Sequence, residues 1–285
     1  PNSTPKKHSA LGRFKHEGAN VIIAEDGRAV VYSGDDERFE YMYKFVSKEK
    51  YIEGDRAHNM TLLTEGDLYV ARFYGNSPKE EIDGSGTTPS DGQFDGTGEW
   101  VPLILNGKSQ VEGMTVAEVA VNTRTAADTV EPTKMDRPED VEPSLHSRKV
   151  YAALTNNSKR EIFQVDEVNP RLKNRDGQVL ELDEQGDQTS TEFAWNLLLV
   201  AGDPNGGDTT FYGNVDPKSV SPISCPDNLA FDSVGNLWIS TDGAPDGIGY
   251  NDGLFRVTLE GDMRGNVEQF LSCLLYTSPS PRDVE

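Results

Sequence analysis

Short runs of alternating apolar and polar residues, punctuated by turn-forming residues, dominate this chain, and stretches with helical spacing are few. The clearest run is Cys225 to Gly243, C-P-D-N-L-A-F-D-S-V-G-N-L-W-I-S-T-D-G. Leu229 and Phe231 alternate with small or polar residues, as in a half-buried strand. Asp232 to Asn236 is turn chemistry, with Gly235 free to take a positive φ. Leu237 to Ser240 is a second strand of good β-formers. Polar side chains stand at both open ends of this hairpin: Asp227 and Asn228 at one, Thr241 and Asp242 at the other. A β-propeller blade that offers groups to a central channel has this pattern.

The same reading applies along the chain. Asn20 to Ala24, turned by Glu25-Asp26-Gly27-Arg28 into Ala29 to Gly34, predicts a hairpin. Phe39, Tyr41, Tyr43 and Phe45 repeat at period two and predict a half-buried strand. Further strands are expected near 67–73, 99–103, 148–155, 178–182, 193–202 and 253–257. Residues 75–98 have no periodicity and read as an inserted loop. Thr115 to Ala127 reads as a helix, opened by Thr115 with Glu118 three residues on as a capping box. Strand pairs recur without a fixed period. The expected fold is therefore all-β, a β-propeller with loop and short helical insertions.

The 285 residues carry a net charge of −21, which argues against nucleic acid as a partner. No stretch has the apolar length of a membrane span. The last residues, Cys273-Leu-Leu-Tyr-Thr-Ser-Pro-Ser-Pro-Arg-Asp283, fit no preceding element. Read back as codons, they resemble the end of a sequencing-library adaptor. Residues 1–272 are accordingly expected to form the domain and 273–285 to be a remnant outside it. Cys225 is then the one natural cysteine, read as a small buried residue.

Two pairs carry candidate chemistry. His16 and Glu17 are adjacent, so in a strand they point to opposite faces, and spacing alone favours a surface pair. Arg137 and Glu139 flank Pro138, which is expected to hold Arg137 extended, so that both side chains share a face. An arginine beside a carboxylate suits a phosphate-and-cation site, and it equally suits an exposed charge cluster.

Five motifs in order, L-G-R-F-K-H-E-G-A, T-K-M-D-R-P-E-D, V-Y-A-A-L-T-N-N, N-P-R-L-K-N-R-D-G and P-D-N-L-A-F-D-S-V-G-N-L-W-I-S-T-D-G, resemble the PhoX-type alkaline phosphatases from about Leu11 to Val257. The resemblance implies a β-propeller that hydrolyses small-molecule phosphate monoesters with calcium (Ca2+) and iron (Fe3+) as cofactors. It implies a monomer in the periplasm or secreted, exported by the twin-arginine route. Carried over residue by residue, it makes Glu17, Glu139 and Asp227 metal ligands. Arg137 becomes the phosphate-binding arginine and Asn228 a neighbouring substrate or metal contact. For Glu17 this outweighs the spacing argument.

The family's N-terminal portion, with a cysteine thiolate ligand, has no counterpart in the chain. The expectation is an incomplete propeller whose parent is active and whose residues 1–272 alone are not. The nearest rival is a calcium-dependent lactonase-type propeller, which has no need of a phosphate clamp at Arg137. A non-enzymatic calcium-binding propeller is the third reading.

Overall fold

The computed structural model describes residues 4–273, so the expected remnant lies, beyond Cys273, outside the described residues. The chain is all-β and propeller-like, with 15 strands and a few short helices among the described residues. It divides into two compact units. One is drawn from Pro1–Tyr74, Gly96–Val150 and Leu182–Trp195, the other from Gly75–Asp95, Tyr151–Glu181 and Asn196–Glu285.

In the first unit, β1 (His16–Ile23), β2 (Arg28–Asp35), β3 (Met42–Lys50) and β4 (Gly66–Gly75) form an antiparallel meander. The Asp26-Gly27 turn closes the first hairpin, with Gly27 at φ 91°. After β3, Asp55 caps the short α1 (Arg56–Asn59) by accepting from the His58 amide at 3.0 Å. β5 (Asp95–Leu105) continues the sheet next to β4, and β6 (Lys108–Ser109) folds back on it. The expected half-buried strand differs in detail. Phe39 lies outside β3 at φ 69°, and Met42, Lys44 and Val46 are buried along with Tyr43 and Phe45. Both faces of β3 are covered.

The expected single helix is two. Thr115 caps α2 (Val116–Val121) with the full capping box to Glu118, and α3 (Thr123–Asp128) follows after Asn122. The break has local causes. Val116, Val119 and Val121 are poor helix interiors, and the Thr123 hydroxyl bonds back to the Val119 carbonyl at 2.9 Å. Val119, Ala126 and Ala127 join Tyr41, Tyr43, Phe45, Leu68 and Val70 in one core. β7 (Pro138–Pro143) then packs on β1 and β2. That approach requires Gly34: a Cβ there would stand 2.0 Å from the Glu139 carbonyl oxygen.

Burial in this unit includes one ionic network. Lys44 and Glu184 are a wholly buried ion pair at 3.1 Å. Glu184 also accepts from the Tyr32 hydroxyl at 2.7 Å and from the Trp100 indole at 3.1 Å. The Lys44 ammonium donates to the Gln188 and Ser190 carbonyls and lies 4.7 Å from the Trp100 ring centre. Every buried charge is matched by donors or acceptors, which is the condition for keeping it there.

The second unit contains β8 (Val150–Leu154) from Tyr151 on, the first part of β9 (Gln178–Glu184) and the second part of β10 (Glu192–Val200). β11 (Phe211–Tyr212) pairs with β10. β12 (Pro226–Phe231), β13 (Leu237–Thr241), β14 (Gly253–Val257) and β15 (Val267–Ser272) form a four-stranded antiparallel meander, a complete blade. Its hairpin turn is built by Asp232, which accepts from the Asn236 amide, the Asn236 side chain and the Trp238 indole at 2.9–3.1 Å. Leu229, Leu237, Ile239, Phe255 and Val257 fill the core with Leu198, Leu199 and Tyr212.

Replacing Glu184 with leucine strands the Lys44 ammonium and two N–H or O–H donors. The expected loss is about 3–5 kcal/mol in urea unfolding, with partial recovery in Lys44→Met/Glu184→Leu. A single-variant loss below about 1 kcal/mol would contradict the network's role. Gly34→Ala should cost about 1–3 kcal/mol in the same assay, because the clash is with backbone and no side chain can swing away.

Candidate metal centre

The first-unit site begins at the start of β1. Glu17 pairs with Gly34, and the register then slips between Glu17 and Asn20, so Gly18 and Ala19 form a bulge. Gly18 has φ 66°, and a Cβ on it would lie 2.6 Å from the Asp140 carboxylate. β7 therefore closes on β1 as it does on β2. Asn20 clamps the approach, donating to Asp140 Oδ1 at 2.6 Å and to the Val141 carbonyl at 3.1 Å. His16 and Glu17 keep consecutive register with Asp35 and Gly34 and so still point to opposite faces, but Asp36 and Glu139 gather on Glu17 and it is not a surface residue. Glu17 is half-buried. His16 stacks on Phe14 at 3.7 Å between ring centres, and its ring nitrogens face the Gly12 carbonyl and Ser33 hydroxyl.

Asp36 follows β2, and Glu139 is the second residue of β7. Oxygens of Glu17, Asp36 and Glu139 lie within 4.8 Å of one another. Glu139 is buried and the other two are half-buried. Arg137 bridges two of the three: its Nε donates to Asp36 Oδ1 at 2.6 Å, and its Nη2 lies 2.9 Å from Glu139 Oε1. Arg137 and Glu139 thus meet as expected, but by another route. Arg137 is not extended: its φ is 60°, a left-handed value for a residue that also precedes proline. Strain of this kind persists where surrounding packing over-determines it. Here β7 is pinned against Gly34 and Gly18.

Three hard carboxylates within this distance repel one another, and Arg137 is one cation among them. The set fits an oxygen-preferring metal ion, with an arginine fork alongside. Among the described residues this is the one trio of its kind. Asp36 went unread in the sequence. The available signal was its place directly after the strand that pairs with Glu17.

The turn that carries Asp36 is itself anchored. Asp35 is buried and accepts from Arg124 Nε at 2.8 Å and from the Lys15 amide at 3.2 Å. Arg124 comes from α3 and also lies 3.7 Å from Glu40 Oε2. Burial pushes the Glu40 carboxyl up to about 7, partly opposed by Arg124.

Asp227 and Asn228 belong to the second unit. They occupy a bulge between Pro226, paired with Thr241, and Leu229, paired with Ile239. Asp227 is half-buried and Asn228 exposed. Cys225, before Pro226, has φ 52°, as Arg137 has a positive φ before Pro138. Its thiol is buried, within 3.4 Å of the Arg175 carbonyl, and burial pushes its pKa up. That suits a packed residue and not a reactive thiolate. Other motif residues are structural. Thr241 Oγ1 and the Gly243 and Ala244 amides all donate to Asp252 at 2.9 Å, which caps α4 (Ala244–Gly247). Arg171 Nη2 donates to the Gly177 carbonyl at 2.9 Å, and Arg171 Nε to Asn174 at 3.1 Å.

Comparison with known proteins gives one consistent answer. The sequence profile of the family described as alkaline phosphatase PhoX matches residues 1–277. The fold is similar to that of Pseudomonas fluorescens PhoX, solved in complex with vanadate, a transition state analogue, with a TM-score of 0.80 and 38% sequence identity. The similarity covers 95% of this chain and 47% of that one, so the chain spans about half of the solved relative's length. No curated protein matches.

Glu40 predicts a pH dependence. Its folded pKa is about 7, above the ordinary 4.5, so the folded state resists ionisation while the unfolded state ionises freely. Its contribution to stability is fully present below about pH 4.5 and is lost as pH rises to 7. Glu40→Gln should therefore gain about 1–2 kcal/mol on wild type between pH 4 and pH 8, after allowance for partial exposure. Parallel urea-midpoint profiles for the two proteins would contradict this.

Proposed function

The chain belongs to the PhoX alkaline phosphatase family, and from that premise we propose that it carries part of the machinery of a metal-dependent phosphate monoester hydrolase. The observation that supports this most directly is the Arg137 guanidinium held beside the Glu17, Asp36 and Glu139 carboxylates. A phosphate monoester is a dianion, and it needs both cations and directed N–H donors to sit in an acidic protein of net charge −21. The solved relative binds vanadate, a transition state analogue. In the reading carried over from the family resemblance, Arg137 donates to the equatorial oxygens of the phosphoryl group, where charge is spread in the transition state.

Glu17 and Glu139 would hold metal in the first unit; in the second unit, taken by itself, Asp227 would be a metal ligand and Asn228 a substrate or metal contact. Hard carboxylate oxygens suit Ca2+ and Fe3+. When bound, these ions neutralise phosphate charge and lower the cost of bringing an oxygen nucleophile in line with the leaving group. Glu139 has a second task on this account: through Nη2 it keeps Arg137 in the site. No protein general acid is required where cations stabilise the leaving alkoxide. On the family resemblance, the parent protein would be exported and would do this work as a monomer, in the periplasm or outside the cell. A lactone hydrolase would use similar carboxylates but has no use for Arg137.

Arg137→Ala in protein expressed at the full length of its gene should lower p-nitrophenyl phosphate turnover roughly 100- to 1,000-fold, with bound iron and calcium unchanged by elemental analysis. Lactone hydrolysis that survives Arg137→Ala, with no phosphatase activity in wild type, would replace this reading with the rival one.

A further inference from the structure

We propose that Arg124, on α3, is a positioning residue for the carboxylate trio: acting through Asp35, it fixes the spacing between the segment that carries Glu17 and the turn that carries Asp36. What that spacing serves rests on the metal reading above.

Lys15 stands two residues before Glu17, and Asp35 directly before Asp36. Two bonds tie the segments at that level. The Lys15 amide donates to Asp35 Oδ1 at 3.2 Å, and the Asp36 amide donates to the Lys15 carbonyl at 3.0 Å. The first bond depends on where the Asp35 side chain sits. That side chain is fully buried, a place where an unpaired carboxylate does not stay charged. Arg124 answers it with a two-pronged bond, Nε to Oδ2 at 2.8 Å and Nη2 to Oδ1. Oδ1 thus takes both the Lys15 amide and an arginine N–H, so one carboxylate joins α3 to both ligand-bearing segments.

The preceding residue of α3 repeats the grip. Thr123 is buried, and its hydroxyl accepts from the Arg13 amide at 2.9 Å while donating to the Val119 carbonyl at 2.9 Å. Gly12 lies against it: at φ 87°, a Cβ there would stand 2.8 Å from Thr123 Oγ1. Two consecutive residues of α3 therefore hold the chain that leads into β1, and one of them also holds the turn after β2. The helix is itself seated in the core by Ala126 and Ala127. A bracket fixed to packed core can set distances that a loose loop cannot.

Three carboxylates within 4.8 Å of one another repel, and the segments that carry them separate unless something resists. Assembling them during folding spares an arriving cation that cost. Loss of the bracket therefore weakens cation binding. Coulomb attraction alone gives the opposite sign: Arg124 is a cation beside the site, and its removal would tighten binding of another. The direction of the change separates positioning from charge.

The test measures calcium affinity by competition with a chromophoric chelator, with urea unfolding alongside, for protein expressed at full gene length. The proteins are wild type, Arg124→Met, Arg124→Lys, Asp35→Asn and Arg124→Met/Asp35→Asn. Arg124→Met should bind calcium about 10- to 100-fold more weakly than wild type. Arg124→Lys, which keeps the charge and loses the fork, should fall between the two, and it carries the comparison if Arg124→Met does not fold. The double variant should match the weaker single variant within about three-fold, since both changes act through one contact. Lys44→Met/Glu184→Leu, altered elsewhere in the core, should keep wild-type calcium affinity whatever its stability. In metal-free crystals, Glu17 and Asp36 should stand further apart in Arg124→Met than in wild type. Calcium binding that is unchanged or tighter in Arg124→Met, additive losses in the double variant, or unmoved carboxylates would each overturn the proposal. Wild type that binds no calcium would sink the metal reading instead, and the metal-free crystals would still decide this one.

Discussion

The first-unit site depends on a backbone contact. β7 runs so close to β2 that Gly34 has no room for a side chain, the Glu139 carbonyl standing 2.0 Å from where its Cβ would be. That closeness puts the start of β7 beside the end of β2 and the start of β1. Glu139 then meets Glu17 and Asp36, three residues far apart in sequence. It also explains why Arg137 accepts a left-handed φ before a proline. The strand after it is pinned, so the corner bends to suit the strand.

Carboxylates in this unit live in two environments, and the contrast carries meaning. Glu184 is deeper than any member of the trio, yet it is answered by an ammonium, a phenol and an indole and has a structural part only. Glu17, Asp36 and Glu139 face one another, with Arg137 spanning two of them. The first arrangement is closed by its own donors. The second gathers like charge where a folding-driven design would disperse it, which is how binding sites differ from cores.

Much of the β architecture was legible in the sequence because period-two runs and turn residues are local signals. The hairpin around Asp232 and the blade that follows are what the pattern around Gly235 and Trp238 indicates. The Thr115 cap was legible for the same reason, while the break at Asn122 depended on a hydroxyl turning back on the helix. The site was less legible. Arg137 and Glu139 were marked by chemistry at short spacing, but their meeting runs through a left-handed corner and not through an extended one. Glu17 looked like half of a surface pair because spacing within one strand does not foresee that Asp36 and Glu139 arrive beside it. Asp36 was marked only by its place directly after the strand that pairs with Glu17, since its partners arrive from β1 and β7. Resemblance to a family supplied Glu17 where spacing did not.

The most direct test of the account is a crystal structure of the protein at full gene length with calcium and vanadate. The account predicts cation density at the Glu17, Asp36 and Glu139 carboxylates, and Arg137 within hydrogen-bond distance of a vanadate oxygen. Vanadate bound away from Arg137, or Glu17 and Glu139 engaged by protein groups with no cation between them, would contradict it.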